Sequence, residues 1–145
     1  MLPEHYRKLE RMYLQANINT MLFDTTTCAI SMEKAEIGLT LSEKYYHALG
    51  AIHGSVYFKL LDDAAFFAVS SIVEDVFVLT SSFNINLIRP VKHGKITSIG
   101  KVKSRSSNLF VAESTLFNEG GKEIASGTGN FVRSKTSLAE EIGYI

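Results

Sequence analysis

One cysteine, Cys28, is all the sequence contains, so no intramolecular disulfide can form and no zinc site can be built on several cysteines. Neither sign of charge is in excess. The 15 Lys and Arg balance 15 Asp and Glu, which excludes a strongly basic nucleic-acid binder. No apolar run reaches the roughly 18 residues that a membrane-spanning helix needs. The opening stretch Met1-Leu2-Pro3-Glu4-His5-Tyr6-Arg7-Lys8 is too charged for the apolar core of a signal peptide. These absences lead to the expectation of a soluble, cytoplasmic protein with no membrane or nucleic-acid partner. What remains is 145 residues with 46% hydrophobic and 21% charged side chains, the balance of one folded domain that needs no disulfide or metal.

The chain divides by periodicity. From Pro3 to Asn17 apolar residues recur at helical spacing (Leu2, Tyr6, Leu9, Tyr13, Ala16), with charges on the other face. Cys28 to Met32 and Ile37 to Leu41 alternate like strands, with a bend expected at Lys34-Ala35-Glu36. Ser42 to Gly50 fits neither period and reads as a loop. His53 to Ile72 is apolar on nearly every side and lacks proline, as a buried helix does. Four strand-like stretches follow: Val76–Val91, Lys95–Arg105, Asn108–Asn118 and Glu123–Arg133. Glu119-Gly120-Gly121-Lys122 marks a hairpin between the last two. Residues 137–145 fit either a helical turn or a loose tail.

Short links imply antiparallel strands, and the buried helix is the natural cover for one face of their sheet. The expected fold is α+β: five to six antiparallel strands wrapped around one long helix, with an extra helix over residues 1–20 and a core over 21–135. A helix apolar all round has more surface than one sheet face covers, so a second protomer is expected against it.

Polar groups inside that helix carry the functional argument. A buried carboxylate without a partner costs several kcal/mol. Asp63 has Lys59 one turn earlier, the spacing of a helix-surface ion pair. Asp62 has Phe58, Phe66 and Val69 on its face and no cation four positions away on either side. His53-Gly54-Ser55 opens the helix, where unpaired N–H groups suit either simple capping or an oxyanion. His53 and Asp62 are nine positions apart. On an ideal helix they face opposite ways, about 13 Å apart along the axis. If both belong to one site, it lies between two protomers.

The pattern Gly50-x-x-His53-Gly54-Ser55, then Leu61-Asp62, then Arg89-Pro90 resembles the hotdog-fold acyl-CoA thioesterases of the phenylacetate-degradation type. The resemblance covers about residues 28–133. It implies that Asp62 is the general base or nucleophile, that the Gly54 N–H polarises the thioester carbonyl and that His53 is the signature histidine. His47 stands where several members have an asparagine, and Ser55 where they have a second glycine. A strand hydroxyl that assists in some members falls on Thr80 or Ser81. The substrate side is expected to include Ser55 and Asp63, and, as a docking face for coenzyme A phosphates, Lys101, Lys103, Arg105 and Ser106. Strict alternation puts the three cations on one strand face, which equally suits plain solvation. The resemblance implies a homodimer, or a tetramer of two dimers, and no cofactor beyond the coenzyme A moiety of the substrate. A hydroxyacyl thioester dehydratase and a non-catalytic acyl-CoA-binding module are the alternatives.

Overall fold

The computed structural model describes residues 2–145. Its elements in chain order are α1 (Leu2–Gln15), α2 (Asn17–Leu22), β1 (Thr27–Ser31), β2 (Lys34–Thr40), α3 (Gly54–Ser70), β3 (Val76–Leu87), β4 (Lys95–Arg105), β5 (Leu109–Phe117) and β6 (Glu123–Ser137). Short 3₁₀ turns cover Glu43–Tyr45 and Glu140–Ile142.

All six strands join in one antiparallel sheet of order β1-β2-β4-β5-β6-β3. The strands are antiparallel as expected, but not in chain order: β3 lies at the far edge against β6 rather than beside β4. The connection of residues 88–94 therefore crosses back. It is fixed to the segment before α3 and to α3 itself: the Ile52 N–H donates to the Val91 carbonyl (3.0 Å) and the Tyr57 hydroxyl to the Arg89 carbonyl (2.8 Å).

The sheet curls around α3, whose buried residues include Val56, Leu60, Leu61, Ala64, Ala65, Ala68 and Val69. On one flank Leu60 and Leu61 pack with Ile37, Leu39, Ile96 and Leu116. On the other, Ala65 and Val69 pack with Val78, Phe110 and Phe131. The helix crosses β4 so closely that a Cβ at Gly100 would overlap the Ala64 carbonyl. The Ser114 hydroxyl donates to the Leu61 carbonyl at 2.7 Å and ties β5 to mid-helix.

Two local expectations are corrected. The β1–β2 turn sits at Met32-Glu33, earlier than the bend expected at Lys34, with Glu33 in the left-handed region at φ 58°. The N-terminal helix is broken at Ala16, whose ψ of 139° is extended, and resumes as α2. The break is stabilised by Asn19, whose buried amide donates to the Tyr13 carbonyl at 2.7 Å and satisfies a free end of α1.

Candidate active site

A cavity of about 890 Å³ opens between α3, the α1–α2 arm and the near ends of β3 and β6. Its walls are mainly aromatic and aliphatic, Phe58, Phe66, Phe67, Phe77 and Leu79 among them, and Asp62 and Asp63 both reach it. Among the described residues no cation pairs with Asp62. Its Oδ1 accepts a hydrogen bond from the Thr80 hydroxyl at 2.9 Å. Burial pushes the Asp62 carboxyl up to about 6; the Thr80 hydrogen bond and the Lys59 charge oppose this, and the charge of Asp63 adds to it. A carboxylate poised there is ionised at neutral pH yet more basic than an exposed one.

A β-bulge sends the Thr80 and Ser81 hydroxyls to different places. The ladder with β6 pairs Thr80 with Phe131 and Ser82 with Asn130, leaving Ser81 as the extra residue. Strict alternation therefore fails here. Leu79 and Thr80 both line the cavity, while the Ser81 hydroxyl donates to the Asn130 carbonyl at 3.2 Å.

Asp63 does form the expected pair with Lys59, at 2.7 Å, but beneath the α1–α2 arm rather than on the helix surface. The side chains are only 12% and 19% exposed for Lys59 and Asp63. The ammonium also donates to Asn19 Oδ1 (2.7 Å) and the Tyr13 hydroxyl (3.3 Å), and lies 4.7 Å from the Phe23 ring centre. The Tyr13 hydroxyl donates to Asp63 Oδ2 at 2.6 Å. Burial and the Asp63 charge hold that phenol far above its ordinary range, so it stays a donor. Tyr13, Asn19 and Phe23 thus belong to the cavity wall, a role not assigned from the sequence. The polar run Asn17-Ile18-Asn19-Thr20 after the helical pattern was the available signal, since such residues favour helix ends.

At the start of α3, His53 is the N-cap: its Nδ1 accepts from the Ser55 N–H at 3.0 Å and lies 2.8 Å from the Ser55 hydroxyl. That acceptance leaves the ring proton on Nε2. The Gly54 N–H has no acceptor among the described residues. His53 faces a separate hollow of about 440 Å³, which shares only Ser55 and Phe23 with the main cavity. Within one chain, then, His53 and Asp62 do not meet. His47 does not reach either hollow; its Nδ1 accepts from the Leu49 N–H at 3.1 Å within its own loop.

The expected cationic face is corrected. A second bulge, between Val102 and Ser104, makes Lys103 the extra residue and takes Arg105 out of phase with Lys101. Lys103 pairs with Glu113 (3.6 Å) and Arg105 with Glu33 (3.2 Å), so two of the three charges are partly neutralised. The Ser106 hydroxyl closes the β4–β5 turn by donating to the Leu109 carbonyl at 3.0 Å. None of these four residues lines the Asp62 cavity.

A family model described as the thioesterase superfamily matches residues 49–125. A provisionally named esterase of Saccharolobus solfataricus is 28% identical over 116 residues, 77% of each chain. The structure of the E. coli PaaI protein, from the phenylacetic acid degradation operon, superposes with a TM-score of 0.84 at 19% identity, over 94% of this chain and 98% of that one. A thioesterase from Haemophilus influenzae superposes with a TM-score of 0.75 at 19% identity, over 84% and 85% of the two chains. With its six-stranded antiparallel sheet closed around one central helix, the chain belongs to the thioesterase superfamily and has the hotdog fold.

Proposed function

We propose that the protein hydrolyses the thioester of an acyl-CoA, or of an acyl carrier, to a free acid and a thiol. The observation that carries this reading is Asp62: a carboxylate in an apolar cavity, held at Oδ1 by one hydroxyl, with Oδ2 free of partners among the described residues. Asp62 Oδ2 takes a proton from water as the water oxygen bonds to the thioester carbon. The carbonyl oxygen becomes an oxyanion. The C–S bond then breaks, and the thiolate leaves with the proton that Asp62 returns. In the alternative, Asp62 Oδ2 itself bonds to the thioester carbon as the thiolate leaves; water then splits the mixed anhydride, giving its hydroxyl to the acyl carbon and, through Asp62, its proton to the thiolate.

Because His53-Gly54 and Asp62 lie at different places along α3, the oxyanion donor for one protomer's Asp62 is the partner's Gly54 N–H. The site is thus completed in a homodimer, or in a tetramer of two dimers. The role of Thr80 is to orient Asp62. Coenzyme A enters as part of the substrate, and the reaction needs no further cofactor.

Thiol release across a panel of acyl-CoA esters tests this. Asp62→Asn is expected to lose about 10²–10⁴-fold in kcat while keeping its circular dichroism spectrum. Wild-type turnover by that variant refutes the assignment. Hydration of crotonyl-CoA without thiol release would indicate the dehydratase instead, and tight acyl-CoA binding without turnover a binding module.

A further inference from the structure

The segment after β6 returns along α1 and is fastened to it. Leu138 N–H donates to the Asp75 carbonyl at 3.0 Å as the chain leaves the sheet. His5, buried at the end of α3, lies with Nε2 2.8 Å from the Ser70 carbonyl, and only a protonated Nε2 can bond there. Nδ1 is then left to accept, and the Tyr144 hydroxyl donates to it at 2.7 Å. Arg11 Nε donates to the Ile145 carbonyl oxygen at 2.7 Å. Between these points Gly143 adopts φ +89°, a left-handed turn, with its Cβ direction 3.5 Å from Met12 Cα. The turn delivers Ile142 into the cavity that holds Asp62.

Where Ile142 enters decides what it does. α1 runs antiparallel to α3: His5 meets Ser70, Tyr13 meets Asp63, and the Tyr13 ring lies 4.8 Å from that of Phe67. Gly143 sits at Met12, next to Tyr13, so Ile142 closes the cavity near Phe67, on the C-terminal side of Asp62. At 1.5 Å per residue, Asp62 and Phe67 are separated by roughly 7.5 Å along the axis, and Ser55 and Phe67 by roughly 18 Å. An acyl tail that leaves Asp62 in this direction soon meets the wall. Phe67 lies within residues 49–125, the part shared with the family model, but Ile142 lies outside it.

We infer that Ile142, held in place by the Tyr144–His5 hydrogen bond, is the stop that sets how long an acyl tail the cavity accepts beyond Asp62. The inference rests on the acyl-thioester reading, but the length limit belongs to the cavity wall and is measurable without turnover. Tyr144 is a positioning residue; Ile142 touches the acyl group. The favoured substrates are short- to medium-chain acyl groups.

Two measurements on wild type, Ile142→Ala, Ile142→Phe and Tyr144→Phe test it: kcat/KM for butanoyl-, octanoyl- and dodecanoyl-CoA, and calorimetric Kd for butanoate, octanoate and dodecanoate. Ile142→Ala is expected to raise the dodecanoyl-to-butanoyl ratio about tenfold in both, and Ile142→Phe to lower it by a similar factor. Tyr144→Phe should shift the ratio in the direction of Ile142→Ala, whereas a merely structural tyrosine would lower Tm and leave the ratio alone. Ratios within about twofold of wild type in both Ile142 variants overturn the inference. If no acyl-CoA is hydrolysed but the carboxylate ratios move as described, the stop stands and the reaction assignment fails.

Discussion

Replacing Thr80 with valine removes the one hydrogen bond made to the Asp62 carboxyl among the described residues. A hydrogen bond to a carboxylate contributes about 1.5–3 kcal/mol when shielded. At this cavity mouth water can partly replace it, so about 1.4 kcal/mol is a reasonable loss, equivalent to one pH unit. The bond stabilises the ionised form, so its removal raises the Asp62 pKa, from about 6 towards about 7. In the wild type the acidic limb of kcat/KM for thiol release should have its midpoint near 6. In Thr80→Val it should lie near 7, so that at pH 6 activity falls from half of its plateau to about a tenth. Thr80→Ser, which keeps the hydroxyl, should retain the wild-type midpoint. A stopped-flow or dye-coupled thiol assay from pH 4.5 to 9, with the plateau fitted separately, measures this. An unmoved midpoint in Thr80→Val, or a wild-type midpoint near 4, would refute the coupling between this hydroxyl and the reacting carboxylate.

Folding stability should record the same carboxylate with the opposite consequence. The folded-state pKa of Asp62 is raised from 3.8 to about 6, so its favourable contribution is full below about pH 4 and is lost as pH rises through 6. The gap corresponds to about 3 kcal/mol, reduced by solvent at the cavity mouth to about 1–2; Asp62→Asn should therefore be more stable than wild type by that amount in urea at pH 8, and equal to it at pH 3.5. Gly100→Val forces a side chain into the Ala64 carbonyl and should cost about 3 kcal/mol or more, seen as a lower urea midpoint. Lys59→Met leaves Asn19 Oδ1 without its donor and the Asp63 carboxylate without a cation, held by the Tyr13 hydroxyl alone. It should cost about 2–4 kcal/mol and increase amide exchange in α1 and α2, with part of the loss recovered in Lys59→Met/Asp63→Asn.

Much of this site is legible where a single element decides the outcome. The buried helix announces itself because no face of Gly54–Ser70 is polar enough for solvent, and an unpaired carboxylate in such a helix stands out on energetic grounds alone. The Lys59–Asp63 pair follows from one-turn spacing. What stayed hidden depends on more than one strand or on a break in the period. Thr80 could not be separated from Ser81 because a bulge is a property of two paired strands, and nothing in Val76–Leu87 alone marks where the extra residue falls. The bulge at Lys103 scattered the cationic face in the same way, and Glu33 reached Arg105 from a turn far away in sequence. The position of β3 beside β6 was equally invisible, since a short link says how far the chain can travel, not which edge it joins.

That edge position sets a schedule for biosynthesis. β3 is complete at Leu87, but its only neighbour in the sheet, β6, ends at Ser137. At ribosomal rates of about 5–20 residues per second, the strand waits roughly 3–10 s for its partner. During that interval the nascent chain carries Val76-Phe77-Val78-Leu79 with no sheet to enter, the kind of segment that chaperones hold and that drives aggregation when they are scarce. Changes in β6 should consequently reduce the yield of folded protein out of proportion to their effect on the finished molecule.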